Sequence, residues 1–237
     1  MNENLNTKQA NEADNTFYRH EALVSLPPNT FLNADCMDYL PKCPSGYFDL
    51  AIVDPPYGNN LSGGRSAKDG WNPNIDWNKC NKGWNLNIPN KNYFEELRRV
   101  SKNQIIWGGN YFANLLPNTE CWLVWDKGQR EFSLADGELA WASFDKALRI
   151  ITYPRALANQ EEKIHPTQKP VELYKRILRR FAEAGHLILD THVGSGSSLV
   201  ACKELGLDYI GFEIDEDYYE AASKRVAGAF RKYELQF

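Results

Sequence analysis

At 237 residues the chain is long enough for one sizeable α/β core and too short for two generous domains with linkers. Its 43% hydrophobic and 24% charged residues are ordinary for a globular protein, and no stretch is apolar enough to cross a bilayer. A net charge of -4 argues against a protein that coats nucleic acid by bulk electrostatics, so any nucleic-acid site must concentrate its positive charge locally.

Residues 1–16 are polar and Asn-rich, without the basic start and apolar run of a secretory signal, and read as a disordered tail on a cytoplasmic protein. Residues 17–237 are expected to form a single domain. Thr30 to Asn33 reads as a short strand and Met37 to Leu40 as one or two helical turns. Phe48 to Val53 is a near-continuous apolar run ending at Asp54, the pattern of a strand buried on both faces of a parallel sheet. The stretch 58–90 is rich in Gly and Asn, lacks any sustained period, and reads as a large surface loop.

A helix is expected over Tyr93 to Val100, a strand over Gln104 to Trp107, and a short helix over Tyr111 to Leu115. Cys121 to Trp125 and Glu138 to Phe144 are strand-like, whereas Arg149 to Lys163 has no clear period. Pro170 opens an amphipathic helix in which Leu173, Ile177, Leu178 and Phe181 recur at helical spacing. Leu187 to Leu189 is a buried strand ending in Asp190. Ser197 to Leu205 is helical, Tyr209 to Phe212 a strand, and Tyr218 to Phe230 the last helix. Strands alternating with helices indicate a doubly wound α/β sheet.

Ligands of open α/β sheets gather at the carboxyl ends of strands, and two such ends stand out. At the later one, Asp190 leads through Thr191-His192-Val193 into Gly194-Ser195-Gly196-Ser197 and a helix. The glycines permit a tight turn close to a ligand, and the helix start offers unpaired N–H groups. Glu213 ends the following strand, where a carboxylate can accept both hydroxyls of a ribose. Together these features point to a nucleoside cofactor. The third glycine of a dinucleotide fingerprint would fall at Leu199, which weakens a nicotinamide reading. The simpler account of His192 is packing or capping within its loop, ahead of acting as a base.

The earlier strand end carries Asp54-Pro55-Pro56-Tyr57. Two prolines end the ladder and keep the chain extended and stiff. A rigid turn alone does not account for an acid at the strand end followed by Tyr57. Such a unit holds a carboxylate, a backbone carbonyl and a flat ring in fixed geometry, which suits methylation of an aromatic amine. The exocyclic nitrogen of a base is a poor nucleophile because its lone pair is delocalised into the ring. Hydrogen bonds to the Asp54 carboxylate and the Pro55 carbonyl would localise that pair and stabilise the growing positive charge. Tyr57 would stack on the base, which must first leave the duplex.

Asp54-Pro55-Pro56-Tyr57, the Gly194 loop and His165-Pro166-Thr167-Gln168-Lys169-Pro170 together resemble three signature motifs of the amino-methylating DNA methyltransferases. Their order, catalytic motif first and cofactor loop last, resembles the beta class. The loop departs from the family's usual Asp-Pro-Phe opening and Gly-Ser-Gly-Thr-Thr close, reading Asp190-Thr191-His192 and Gly194-Ser195-Gly196-Ser197-Ser198. The resemblance implies a circularly permuted, Rossmann-like sheet of about seven strands with one antiparallel strand. It implies S-adenosylmethionine as cofactor and Asp54, Pro55, Pro56 and Tyr57 as the catalytic residues. Cofactor contacts are implied for Asp35, Cys36, Asp54, His165, Thr167, Lys169, Asp190, Gly194, Ser195, Gly196, Ser197, Glu213 and Ile214. Among these, Thr167 and Lys169 are expected near the cofactor carboxylate and Asp35 near its adenine.

Asp at the first motif position goes mostly with adenine in that family and Ser with cytosine, so adenine N6 is the expected target. N4-cytosine, RNA adenine, a protein glutamine amide and a non-catalytic partner subunit remain as alternatives. The implied substrate is double-stranded DNA, with a homodimer and a cognate restriction endonuclease as candidate partners and no membrane.

DNA recognition is expected in the stretches 58–90 and 127–163. Arg65 and Lys68, Lys79 and Lys82, Lys127 and Arg130, and the helix with Lys175, Arg176, Arg179 and Arg180 are candidate basic patches, although each by itself reads as solvated surface. Trp107, Trp122, Trp125 and Trp141 are read as core, and Trp71, Trp77 and Trp84 as aromatics that could stack on DNA. The five cysteines, Cys36, Cys43, Cys80, Cys121 and Cys202, are scattered without a C-x-x-C pair and read as free thiols, with no metal site.

Overall fold

The structure, a computed structural model, describes residues 26–58, 87–130 and 135–230. The tail, most of the 58–90 stretch with its three tryptophans, Cys80, and the Arg65, Lys68, Lys79 and Lys82 patches lie outside the described residues. The strands are β1 Thr30–Asn33, β2 Phe48–Val53, β3 Ser101–Trp107, β4 Trp122–Asp126, β5 Gly137–Ala142, β6 Arg149–Thr152, β7 Leu187–Asp190 and β8 Asp208–Glu213. The helices are α1 Lys91–Val100, α2 Arg155–Ala158, α3 Val171–Phe181, α4 Ser197–Leu205 and α5 Glu216–Ala227. One eight-stranded sheet runs in the order β1-β8-β7-β2-β3-β5-β4-β6. Only β5 is antiparallel to its neighbours in that sheet.

The alternation along β2 shows why Leu50 to Val53 are apolar without a break. Leu50 and Ile52 enter the core that α3 and α4 cover, while Phe48, Ala51 and Val53 belong to the core on which α1 packs. Helix α3 contributes Leu173, Ile177, Leu178 and Phe181 to the first core, and α1 contributes Phe94, Leu97 and Val100 to the second. Trp107, Trp125 and Trp141 are buried in these cores, and Trp122 packs against the second. The four described cysteines are all buried and free.

Eight strands form where about seven were expected, because β6 adds to the outer edge of β4. Only Ile151 of β6 is buried, so a strand with one covered side chain left no readable period in the sequence. The expected helix at Tyr111 to Leu115 is instead a 3-10 turn, Gly109–Tyr111, followed by a turn in which Leu115 N and Leu116 N donate to the Phe112 carbonyl. Two 3-10 turns, Cys36–Asp38 and Leu40–Lys42, occupy the segment after β1. The stretch 127–163 is not all insertion, since it supplies β5 and β6 to the sheet.

The topology places the site. Strands β2, β3, β7 and β8 are mutually parallel, so Asp54, Gly108, the loop after Asp190, and Glu213 all emerge at one edge of the sheet. Because β5 runs the other way, its first residues, Gly137 and Glu138, lie at that same edge. Gly58 and Ile88 are also neighbours there, since a Cβ on Gly58 would lie 3.0 Å from the Ile88 side chain. The chain therefore leaves and re-enters the described structure beside Tyr57.

Candidate active site

Two adjoining cavities open at this edge. The larger, about 430 Å³, is lined by the whole of Asp54-Pro55-Pro56-Tyr57 together with Gly108, Asn110, Tyr111, Lys127, Glu138 and Arg155. The smaller, about 180 Å³, is lined by His165, Thr167, His192, Gly194, Ser195, Ser197, Glu213, Ile214 and Tyr218. Asp54, Pro56, Thr167 and Lys169 line both, so the cavities meet at the Asp54 carboxylate.

Asp54 is gripped from two sides. The Tyr57 hydroxyl donates to Oδ1 at 2.5 Å, and the Lys169 ammonium donates to Oδ2 at 2.5 Å. Lys169 also donates to the Tyr57 hydroxyl at 3.1 Å, pairs with Glu138 Oε2 at 3.2 Å, and lies 4.9 Å above the Trp107 ring. Lys127 holds the other Glu138 oxygen at 2.7 Å. Positive and negative groups thus alternate from Lys127 through Glu138 and Lys169 to Asp54.

Burial works against the Lys169 charge, but Asp54 and Glu138 outweigh it and hold the ammonium above the ordinary lysine range. Glu138, in spite of its own burial, is drawn down to about 2 by Lys169 and Lys127. Burial and then the Asp54 and Glu138 charges keep the Tyr57 hydroxyl protonated far above its usual range.

Tyr57 reaches Asp54 because Gly108 has no side chain. A Cβ at Gly108 would fall 2.2 Å from the Tyr57 ring, and the backbone there has φ +69°, a conformation that glycine adopts most readily.

The smaller cavity has the donors and acceptors of a nucleoside site. Glu213 accepts from the backbone N–H groups of Gly194 at 2.7 Å and Asp215 at 2.9 Å, fixing its carboxylate with lone pairs to spare for vicinal hydroxyls. Ile214, 67% exposed, offers an apolar face beside it. The start of α4 supplies backbone N–H groups for an anionic group. These residues fit an amphipathic nucleoside carrying a carboxylate, with Glu213 and Ile214 holding the nucleoside end. His165 packs against Tyr218 with ring centroids 4.4 Å apart and planes tilted by 59°, and burial and the Lys169 charge push it down to about 3, so it is neutral at pH 7. His192 packs edge-on to Tyr93 and hydrogen-bonds Thr191, and burial pushes it down to about 4.

Four of the expected cofactor residues do not line that cavity. Asp35 caps a 3-10 turn by accepting from Met37 N at 2.8 Å, one strand beyond Glu213. Cys36 is buried in the second core, and its thiol is pushed up to about 12, chiefly by that burial. Gly196 faces α5, where a Cβ would meet Ala222 and Val226 at 3.2 Å. Asp190 is buried beneath the loop, accepting from the Ser198 hydroxyl and from His192 N. Lys169 borders the smaller cavity, and its ammonium is directed at Asp54 and Glu138.

Sequence reasoning did not single out Glu138, Gly108, Tyr111 or Arg155, and it named Lys127 only within a candidate basic patch for DNA. The pair Gly108-Gly109 directly after β3 was the available signal, a third strand end beside the other two.

Residues 106–224 match the DNA methylase family of N6- and N4-methylating enzymes. The chain belongs to that family. It is similar to the type II methyltransferase M.HinfI of Haemophilus influenzae, 25% identical over 253 residues that cover 84% of this chain and 68% of that protein. M.HpaI of Haemophilus parainfluenzae is 38% identical over 76 residues, 32% of this chain and 24% of that one. Among solved structures, the M1.HpyAVI complex with S-adenosylmethionine superposes with a TM-score of 0.56 at 19% identity, covering 83% of this chain and 98% of that one. The PvuII DNA methyltransferase, cytosine-N4-specific, gives a TM-score of 0.53 at 14% identity, covering 82% and 85%. At such identities the solved structures speak for the fold, which is the Rossmann-like fold of DNA methyltransferases. S-adenosylmethionine is the methyl donor of the N6/N4 DNA methylases.

Asp190 gives the methylase a pH-dependent stability. Burial raises its carboxyl to about 7, although the Ser198 hydroxyl and the His192 N–H oppose the shift. A carboxyl raised in the folded state favours folding while it is protonated, and that contribution is lost as pH rises from the unfolded value, about 4, through about 7. The Asp190→Asn variant lacks this titration. Chemical denaturation across pH should show wild type losing stability relative to Asp190→Asn between about pH 4 and 7 and levelling above; a difference independent of pH would contradict the assignment.

Proposed function

We propose that this N6/N4 DNA methylase transfers the methyl group of S-adenosylmethionine to the N6 amine of adenine in DNA, with the target base flipped into the larger cavity. The observation that carries the reading is the doubly held Asp54 carboxylate at the junction of the two cavities. The cofactor, bound along the Gly194 loop with its ribose at Glu213, would supply an electrophilic methyl group.

The protein's own residues then act on the acceptor. Asp54 accepts a hydrogen bond from the target amine on a lone pair not used by Tyr57 or Lys169, and the Pro55 carbonyl accepts the second. Both bonds strengthen as the nitrogen gains positive charge, which favours the transition state over the ground state; the bond from the methyl carbon to the donor's sulfur would break as the new one forms, and the amine would then lose its surplus proton to water. The Tyr57 hydroxyl and Lys169 keep the carboxylate oriented, so little reorganisation is needed during transfer. Asp at position 54 favours adenine over cytosine through the correlation described for the resembling family.

Double-stranded DNA is the proposed form of the substrate. Recognition is assigned to 58–90 and to the parts of 127–163 outside β5 and β6, where Lys127 and Arg155 already border the base cavity.

Two outcomes test this. Incubation with labelled cofactor and DNA, followed by digestion to nucleosides, should yield N6-methyladenine; N4-methylcytosine as the sole product would overturn the choice of base. Replacing Asp54 with Ala should lower turnover by about 10²-fold or more while cofactor binding stays measurable, and undiminished turnover would remove Asp54 from the mechanism.

A further inference from the structure

The base was expected to stack on Tyr57, yet in this structure a protein ring already lies there. Tyr111 is parallel to Tyr57, with ring centroids 4.9 Å apart and planes 14° from one another. That spacing is direct contact between two rings, and a third flat ring does not fit between them. Both tyrosines line the cavity that holds Asp54. Phe112 meets Tyr57 edge-on at 6.1 Å. The stacked partner is therefore Tyr111 alone among the ring contacts of Tyr57 with described residues.

Tyr111 is poorly explained as core. It is 45% exposed, whereas the next residue, Phe112, is fully buried. It sits at the end of the short Gly109–Tyr111 turn, which the left-handed Gly108 starts directly after β3. The same Gly108 accommodates the Tyr57 ring. One backbone feature thus brings together the catalytic tyrosine and an exposed ring that can leave it without opening the core.

We propose that Tyr111 is the stand-in for the target base: its ring covers Tyr57 while the cavity holds no base and is displaced when a flipped base enters. The apolar face of Tyr57 is then never left to water. The incoming base replaces one stacking partner with another, and Tyr111 competes with it. This rests on the proposal that the cavity takes a flipped base, and not on that base being adenine.

The test uses the full-length enzyme and a duplex bearing the site found by sequencing DNA from cells that express it. The target position carries a fluorescent analogue, 2-aminopurine for an adenine target or pyrrolocytosine for a cytosine one. Wild type, Tyr111→Phe and Tyr111→Ala are compared by fluorescence of the bound duplex and by KM and kcat on unmodified DNA.

Removing the competitor should raise the flipped-base signal of Tyr111→Ala several-fold over wild type and lower its KM for DNA, with Tyr111→Phe resembling wild type. Tyr111→Leu, which keeps bulk without a flat ring, carries the same expectation should Tyr111→Ala fail to fold. An unchanged signal, or a weaker one with a raised KM, would overturn the proposal, the latter because Tyr111 would then be holding the base in place. The identity of the methylated nucleoside reports separately on the adenine reading.

Discussion

Asp54 and Lys169 stand 115 residues apart in sequence, and their ion pair joins the two halves of the site. Asp54 follows the central strand β2, and Lys169 lies just before α3 in the segment that walls the smaller cavity. An almost fully buried ammonium is costly unless it is paired and hydrogen-bonded, and removing one partner of such a pair costs about 3–5 kcal/mol. Here the charge is answered by Asp54, by Glu138 and by the Trp107 ring. The price of desolvation is thus offset by partners that come from three separate strands or their ends. The arrangement needs β2, β3 and β5 side by side, so the orientation of Asp54 depends on the packing of that part of the sheet.

The same pair reconciles two requirements that pull apart. Under the proposed function, a carboxylate that accepts hydrogen bonds from a weakly basic amine must be held in one orientation, while the cavity beside it must leave room for a flat ring to stack. Lys169 and the Tyr57 hydroxyl meet both needs, neutralising and fixing Asp54 without filling the cavity. Lys127 in turn balances the second acid, Glu138, so that acids and cations alternate through this part of the site. The cofactor side uses different means: Glu213 is held by backbone N–H groups, and the buried Asp190 shapes the loop from beneath.

What was legible in the sequence was chemistry written in consecutive residues or at the ends of buried strands. Asp54 to Tyr57, Gly194 to Ser197 and Glu213 could be found because parallel strands bring their carboxyl ends to one edge. The stretch Ser197–Leu205 was readable as a helix because glycines bound it at both ends. Glu138 was not legible, because an acid at the start of a strand reaches this edge only when that strand is antiparallel, which is a property of the whole topology. Tyr111 escaped notice for a related reason, its role depending on a contact with Tyr57 that no local pattern records. Lys169 was found by its motif and expected near the cofactor carboxylate; its pairing with Asp54 and Glu138 was not legible, because both acids reach it only through the sheet topology. The edge strand β6 buries a single side chain and so leaves no periodic trace.

The coupling of Asp54 to Lys169 can be measured on the ammonium itself. In protein with lysines labelled by nitrogen-15, the Lys169 side-chain signal, identified by its loss in Lys169→Met, should report a charged amine that persists to higher pH than an ordinary lysine. In Asp54→Asn the largest favourable contribution to that charge is gone, and the signal should titrate at clearly lower pH. Identical titration in the two proteins would mean that Asp54 does not hold Lys169, and the account of a shared charge at the centre of the site would fail.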